Sequence, residues 1–260
     1  MSAPAVLYDT RAHIAWITIN SEPKRNAISL TVLDALMAAF DEVAKDPDIR
    51  AVVLTGVGER AFSSGVDLDE VPEALSSPDS ARFYDERVSA LYRRVQNCNV
   101  PVVARMNGHA IGGGALLSLA CDLRIATDAL KIAIPVAKVG LMLSPYEYRL
   151  LLEYLTPAKI KQLIFASQVL DAATARQWGL LDFVVPAQEL DRAVSDIVRR
   201  ATEGAPLAIQ ASKKIVNALH QGHAVEQTIE AQYQSVYTSR DLKKGLASIR
   251  LKQTPVFEGK

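Results

Sequence analysis

The sequence is poor in cysteine, with Cys98 and Cys121 as the only two thiols among 260 residues. They form no CxxC pair, and two cysteines in a chain of this length do not build a disulfide framework. We therefore expect a reducing, cytoplasmic location. Residues 1–16 contain no basic segment followed by an apolar one, so no secretory leader is predicted. No apolar run approaches the ~20 residues of a membrane span, and we predict no membrane partner.

The sequence also lacks an excess of charge of either sign, because lysine plus arginine and aspartate plus glutamate both number 29. Without a basic field we predict no nucleic-acid partner, and any anionic ligand must be held by local charges. The patterns GxxxxGK[ST], GxGxxG, GxSxG and HExxH are all absent. These absences argue against nucleotide hydrolysis, dinucleotide binding, a serine triad and a zinc site, and we predict no metal.

Apolar residues make up 49% of the chain, enough for one sizeable core. Segment 13–20 is apolar on both faces and predicts a strand covered on two sides. Helical spacing predicts a helix over 30–44 behind Ser29, and strands are predicted at 50–56 and 101–106. After Pro135 the patterns are mainly helical. We therefore expect a βα core followed by a helical tail.

Two glycine-bearing loops each follow a predicted strand. One contains Gly112-Gly113-Gly114, which alone would indicate no more than a tight turn, and the other runs from Arg60 to Leu68. Because both loops lie at the same end of their units, they are expected to converge on one cleft. Each could then offer one N–H to a carbonyl oxygen that becomes an enolate. We interpret His109, within the glycine loop, as a buried, hydrogen-bonded residue rather than a base.

Together these segments resemble the crotonase superfamily, also called the enoyl-CoA hydratase/isomerase family, over almost the whole chain. The resemblance is carried by ITINSEPKRNAIS, RAVVLTG with ERAFSSGVDL, VPVVARMNGHAIGGGALLSLACDLRIA and KIAIPVAKVGL, in the family's order. It implies an α/β fold with a spiral of ββα units and an acyl-CoA site over 1–200. Residues 201–260 would form a helical trimerisation region, giving a homotrimer or a dimer of trimers.

The same resemblance implies where a ligand binds. The backbone N–H groups of Val66 and Gly113 would form the oxyanion hole, and coenzyme A would enter as part of the substrate, with no separate cofactor. The adenine would lie by Ser63–Leu68, the phosphates near three cations, and the C-terminal segment over the nucleotide. The residues implied in CoA binding are Lys24, Arg25, Arg60, Ser63, Ser64, Gly65, Asp67, Leu68, Ile249 and Lys252. One departure is Asp69, where family members often have lysine.

A second departure concerns catalysis. Hydratases of this family carry two glutamates, and the matching positions here are Leu116 and Val136. Losing each general acid or base typically costs ~10²–10⁴ in rate, so ordinary hydration is expected to be crippled. The aliphatic pair instead predicts an apolar acyl pocket that includes Leu116, Val136 and Leu141.

Groups that could replace the two glutamates occur in the segment LMLSPYEYRL, where the polar candidates include Ser144 and Tyr148. We hypothesise that Glu147 or Tyr146 transfers a proton next to the thioester. The alternative is that Tyr146-Glu147-Tyr148 merely opens a helix, where Glu147 is favourable near the N-terminus. Tyr84, Asp85 and Glu86 form a second candidate set.

Three functions remain open from the sequence. The first is an enolate-stabilising enzyme of fatty acid metabolism, a lyase or isomerase that isomerises, decarboxylates or hydrolyses acyl-CoA. The second is a non-catalytic acyl-CoA binder, and the third is a standard enoyl-CoA hydratase. A polar side chain that reaches the thioester would favour the enzyme, whereas a fully enclosed alkyl chain would favour the binder.

Overall fold

The computed structural model describes residues 3–222 and 226–260. Two parts of the chain lie outside the described residues. They are residues 1–2, in the segment where no leader is predicted, and residues 223–225, in the predicted oligomerisation region. The larger sheet has the order β1-β2-β3-β5-β7-β10 and is parallel apart from the β1–β2 pair. Its strands are β1 (Val6–Arg11), β2 (Ile14–Ile19), β3 (Ala51–Gly56), β5 (Val102–Met106), β7 (Leu123–Thr127) and β10 (Phe183–Val185).

A smaller sheet of order β4-β6-β8-β9 lies beside it. Its strands are β4 (Ala61–Ser63), β6 (His109–Ile111), β8 (Lys131–Ala133) and β9 (Leu170–Asp171). The chain passes from the large sheet to the small one and then into a helix, first through β3 and β4, then β5 and β6, then β7 and β8. These are the ββα units that the sequence predicts.

The helices follow the predicted apolar periodicity, and several begin at a serine or aspartate whose side chain accepts an N–H of the first turn. In chain order they are α1 (Leu30–Lys45), α2 (Val71–Ala74), α3 (Pro78–Gln96), α4 (Gly113–Leu119), α5 (Pro145–Leu152), α6 (Pro157–Phe165), α7 (Ala172–Trp178), α8 (Leu190–Glu203), α9 (Pro206–His220), α10 (Glu226–Tyr237) and α11 (Arg240–Leu251).

The central strands are buried on both faces. In β3, Val52 and Leu54 point into the main core, whereas Ala51 and Val53 point into a smaller core covered by α8. This explains why the strand is a continuous apolar run rather than an alternating one. The loops after β4 and β6 project from the small sheet, which lies beside this buried base.

Three expectations from the sequence need correction, and they concern β1, β2 and His109. β1 was not predicted, because it is an edge strand with mostly exposed side chains. β2 begins at Ile14, since Ala12 and His13 have φ of 50° and 66° and turn the chain between β1 and β2, and it is fully buried only at alternate residues. His109 is exposed, although its Nδ1 accepts the Lys131 N–H at 3.1 Å.

The C-terminal helices begin close to the amino end of the sheet. The guanidinium of Arg50 donates to the carbonyl oxygens of Thr202 and Phe257, which ties both ends of this region to the start of β3. The division of the chain at residue 200 stays a prediction. Among the described residues, no helix is both long and apolar enough to cross a bilayer.

Candidate active site

Two loops from the small sheet touch at glycines. Gly65 follows β4 with a φ of 86°, and a Cβ placed on it would lie 2.6 Å from the Ile111 carbonyl oxygen and 2.8 Å from the Gly113 nitrogen. Only glycine fits such a contact, because its missing Cβ permits both the positive φ and the close backbone approach. The convergence of the two loops at one cleft, predicted from the sequence, is therefore present.

The amides of Val66 and Gly113 lie close together. A Cβ built on Gly113 would lie 3.5 Å from the Val66 nitrogen. Gly113 is the first residue of α4, where an N–H has no intrahelical acceptor. In the described part of the chain, neither amide donates a hydrogen bond. Two unused N–H donors side by side can both bind one oxygen that gains negative charge.

The other glycines of the triplet hold this arrangement in place. Gly112 has a φ of 53° and accommodates the sharp entry into α4, and a Cβ on Gly114 would lie 2.3 Å from the Ser63 carbonyl oxygen. The Tyr92 hydroxyl, fully buried, donates to the Gly113 carbonyl oxygen at 3.2 Å. The close packing of α4 against β4 thus fixes the position of the Gly113 amide.

A cavity of about 360 Å³ opens in front of the two amides. Its walls are mainly aliphatic, and Met142 and Leu68 at 74% and 60% exposure leave it open to solvent. The described residues that line it are Ser64, Val66, Leu68, Val71, Leu75, Ala81, Tyr84, Asp85, Val88, Ile111, Gly112, Gly113, Pro135, Val136, Val139, Gly140, Leu141, Met142, Leu143 and Glu147. The cavity is therefore mainly apolar and open to solvent.

Glu147 brings a carboxylate into this cavity. Its Oε2 accepts the Ser144 N–H at 2.7 Å while the Ser144 hydroxyl accepts the Glu147 N–H at 3.3 Å, which is a capping box at the start of α5. Oε1 has no hydrogen-bond partner among the described residues. The side chain is 8% exposed, and burial raises the pKa of Glu147 above its usual range. Glu147 thus opens the helix and also lines the cavity, and its part in proton transfer stays a prediction.

Tyr146, the other candidate, requires correction. Its hydroxyl donates to Gln96 Oε1 at 2.7 Å, and the Arg93 guanidinium lies 5.1 Å from its ring centroid. It lines a separate polar cleft together with Glu153. Tyr146 is therefore absent from the lining of the acyl cavity, whereas its neighbour Glu147 is part of it.

The second candidate set divides in the same way. Tyr84 and Asp85 line the cavity, whereas Glu86 points outward and pairs with Arg93. Burial and the nearby charges of Glu70 and Glu147 raise the pKa of Tyr84 to about 12. Burial also raises the pKa of Asp85.

The two positions that hold glutamate in hydratases of the family now have distinct surroundings. Val136 and Leu141 line the cavity, as predicted for the acyl pocket. Leu116 does not reach the lining, because α4 buries it in the main core with 1% exposure. Neither position brings an ionisable group to the thioester.

Two of the residues predicted to hold CoA, Ser64 and Leu68, line the cavity, whereas two of the predicted cations, Lys24 and Arg60, contact acidic residues of the protein itself. The Lys24 ammonium donates to Asp67 at 2.7 Å and to Asp69 at 2.8 Å. Arg60 lies 3.9 Å from a Glu22 carboxylate oxygen, while Arg25 is exposed. Asp69 therefore neutralises a cation in the place where a lysine would have added one.

The serines of the same loop are not equivalent. Ser63 is fully buried and its hydroxyl donates to the Asn26 carbonyl oxygen at 2.8 Å, so its predicted contact with adenine needs correction. Ser64 and Leu68 do reach the cavity lining, and Gly65 supplies the contact between the loops. The loop thus presents Ser64 and Leu68 to a ligand and uses Ser63 to hold its own shape.

The prediction that Ile249 and Lys252 lie over the nucleotide of CoA also needs correction. Ile249 lines an apolar groove with Leu246 and Phe257. The Phe257 carbonyl oxygen binds Arg50 at the amino end of β3, whereas the acyl cavity lies at the carboxyl ends of β4 and β6. Neither Ile249 nor Lys252 lines the acyl cavity.

No metal-binding cluster of histidine, cysteine, aspartate or glutamate occurs within residues 3–222 and 226–260. The cavity combines the Val66 and Gly113 residues and the Glu147 carboxylate with mainly apolar walls, an arrangement suited to proton transfer.

Comparison with known proteins shows which family the chain and its fold resemble. The sequence matches the family model described as "Enoyl-CoA hydratase/isomerase" over residues 9–260. Carnitinyl-CoA dehydratase of Salmonella typhi is 31% identical over 244 residues, which cover 92% of each chain. The crystal structure of an enoyl-CoA hydratase/carnithine racemase from Magnetospirillum magneticum superposes with a TM-score of 0.95 at 27% identity, covering 100% of this chain and 97% of that one.

A further solved structure, an enoyl-CoA hydratase from Bacillus anthracis, gives a TM-score of 0.88 at 28% identity and covers 98% of this chain and 100% of that one. The α/β fold with its parallel strands and C-terminal helices, predicted from the sequence, is confirmed by these superpositions.

Proposed function

The chain belongs to the enoyl-CoA hydratase/isomerase family, and on this premise we propose that it binds acyl-CoA thioesters and moves a proton at the carbon next to the thioester carbonyl. The observation that carries the proposal is the meeting of the Val66 and Gly113 amides at a cavity that also contains the Glu147 carboxylate. Coenzyme A enters as part of the substrate, and the reaction needs no separate cofactor.

The amides act on the carbonyl oxygen. When the α-carbon loses a proton, the negative charge of the enolate moves to that oxygen, where both N–H groups donate to it. Removing one such donor typically costs ~10²–10³ in rate, so the pair supplies a large part of the stabilisation.

Glu147 acts on the proton. Its raised pKa makes its ionised form a stronger base than an exposed carboxylate, and its Oε1 is free to accept. Since the apolar walls hold the acyl chain, the α-carbon can be kept within reach of this oxygen.

Double-bond isomerisation is the reaction that these groups favour. Hydration needs one group to activate water and another to protonate carbon, and Leu116 and Val136 can do neither. Moving a double bond between the 3 and 2 positions needs only proton transfer and a stabilised enolate. Decarboxylation and thioester hydrolysis use the same oxyanion hole and are distinguished by their products.

A non-catalytic acyl-CoA binder is the second candidate. An apolar pocket for storage gains nothing from a buried carboxylate, since burial disfavours the charged form. The presence of Glu147 and the open end of the cavity both favour the enzyme over the binder.

We further propose that the protein is a homotrimer or a dimer of trimers. The C-terminal helices and the segment after them leave apolar side chains largely exposed, which assembly would bury. These are Val216, Leu219, Leu246, Ile249, Leu251 and Val256. A monomer in light scattering would contradict this assignment.

The test is incubation with saturated, 2-enoyl, 3-enoyl and malonyl-type CoA thioesters, followed by chromatography with mass detection against protein-free samples. Conversion of the 3-enoyl to the 2-enoyl thioester at unchanged mass is the expected result. A product of the 2-enoyl substrate that is heavier by one water would show that the protein is a hydratase. Thioesters that bind without change would identify a binder.

A further inference from the structure

A second carboxyl group lies in the acyl cavity, on α3. Ala81, Tyr84, Asp85 and Val88 all line the cavity, and their spacing places them on one face of this helix. Asp85 is therefore carried by the face of α3 that the substrate would contact, opposite the start of α5 that carries Glu147.

Asp85 differs from the other charged residues around it. Glu86 pairs with Arg93, and Arg87 pairs with Asp34. Asp85 makes no ion pair and no hydrogen bond with any residue that the structure describes, although it is half-buried. A carboxyl group that is partly desolvated and unpaired favours its neutral form, and burial raises the pKa of Asp85 accordingly.

The two carboxyl groups differ in their hydrogen-bond partners. Glu147 accepts the Ser144 N–H, and a donated hydrogen bond stabilises a carboxylate. Asp85 lacks a donor of this kind among the described residues, and its charge raises the pKa of Glu147, so the two groups interact. Two titratable groups with different surroundings in one cavity typically divide the acid and base roles.

Resting on the proposed function, we infer that Asp85 is a second catalytic residue, which donates the proton that completes double-bond isomerisation. The Glu147 carboxylate removes a proton from C2 of a 3-enoyl thioester, and the C–H electron pair moves into an extended enolate held by Val66 and Gly113. The Asp85 carboxyl gives its proton to C4, a C–H bond forms there, and the double bond comes to lie between C2 and C3. Glu147 is then protonated and Asp85 ionised, and one proton returned from Glu147 to Asp85 resets the site.

The experiment separates the two proton transfers. Exchange of the C2 hydrogens of a saturated acyl-CoA in D2O needs only the base, whereas conversion of 3-enoyl-CoA to 2-enoyl-CoA needs both groups. We would measure both rates in the wild type, in Asp85→Asn and in the control Asp79→Asn. Asp79 lies on the same helix, pairs with Arg82 at 3.2 Å and is 95% exposed at its side chain.

Asp85→Asn is expected to slow isomerisation by ~10²–10⁴ and to leave C2 exchange within a few-fold of the wild type, while Asp79→Asn changes neither. Asp85→Leu places an aliphatic side chain in the apolar wall and should also slow isomerisation while leaving C2 exchange nearly unchanged. The effect of Asp85→Asn is then not caused by an unpaired amide in the cavity. Thermal unfolding of each variant checks that it is folded.

Three results would overturn the inference. They are unaltered isomerisation in both Asp85 variants, an equal loss of exchange and isomerisation in both, and a wild type that exchanges C2 hydrogens without isomerising. The third result would leave the proposed function standing. A wild type that neither exchanges C2 hydrogens nor isomerises would contradict the proposed function as well as the inference.

Discussion

Gly65→Ala should separate the two loops that form the oxyanion hole. The new Cβ would lie 2.6 Å from the Ile111 carbonyl oxygen and 2.8 Å from the Gly113 nitrogen, both backbone atoms that cannot rotate away. The loops must therefore move apart, and the Val66 and Gly113 amides can no longer bind one oxygen together.

The size of the effect follows from two contributions. A side chain at a positive φ costs ~1–2 kcal/mol, and forcing extra atoms into a close-packed contact costs ~1–3 kcal/mol more. Gly140→Ala is the matched control for stability, because Gly140 also has a positive φ, 73°, but no atom lies within 4 Å of its added Cβ. At roughly 2–4 °C per kcal/mol, we expect Gly140→Ala to lower the Tm by about 2–8 °C and Gly65→Ala by about 4–20 °C.

The assay combines calorimetric unfolding with the rate of C2 hydrogen exchange. Gly65→Ala is expected to slow exchange by ~10²–10³, the usual loss for one oxyanion donor. Equal melting temperatures for the two variants, or wild-type exchange in Gly65→Ala, would show that the loops do not meet as described and would refute the reasoning.

Three further predictions concern charged residues. Because the pKa of Glu147 is raised from its ordinary value of 4.5 and the ionised form is the base, the exchange rate should rise with pH through an inflection above 4.5, which Glu147→Gln should remove. Asp182→Asn leaves the Arg124 guanidinium, 3% exposed, without its carboxylate, and should lower the free energy of unfolding by about 3 kcal/mol in denaturant titration. Asp69→Asn frees Lys24 from one of its two carboxylates and should tighten acyl-CoA binding several-fold in calorimetry.

Each of these has a contrary outcome. A profile without an inflection above 4.5 would exclude Glu147 as the base. Asp196→Asn removes an exposed partner of Arg199, 3.9 Å away, and should cost far less than Asp182→Asn; equal losses would contradict the buried pair's importance. If Asp69→Asn binds acyl-CoA no better at low salt than at high salt, Lys24 does not contact the phosphates.

The central part of the fold could be predicted because its causes are local in the sequence. β3 is a continuous apolar run and α1 has helical apolar spacing behind Ser29, whose side chain caps it. β1 could not be recognised in this way, because an edge strand with exposed side chains has no apolar alternation. Its pairing with β2 depends on the turn at Ala12 and His13.

The site was predictable to the level of loops but not of single side chains. The glycines at 65 and 113 predicted a meeting point, since close backbone approach requires them. Tyr146 and Glu147 could not be told apart as cavity residues, because the rotation of α5 is fixed by tertiary packing. The Ser144-x-x-Glu147 spacing is a capping-box signature and did carry information about the start of that helix.

Two other outcomes depended on packing that the sequence does not specify. Leu116 is buried in the core and does not line the cavity, so Val136 is the one member of the apolar pair at positions 116 and 136 that lines it. Asp85 shares a helical face with Ala81 and Val88, a signal visible in the sequence, but only the structure shows that this face lines the cavity.

The central claim, that the paired amides and Glu147 move a proton next to a thioester, is tested most directly by deuterium exchange. Saturated acyl-CoA would be incubated in D2O with the wild type and with Glu147→Gln, and deuterium at C2 followed by mass spectrometry. We predict incorporation at C2 by the wild type and a loss of ~10²–10⁴ in rate for Glu147→Gln. Exchange that proceeds equally in both, or in neither, would contradict the account.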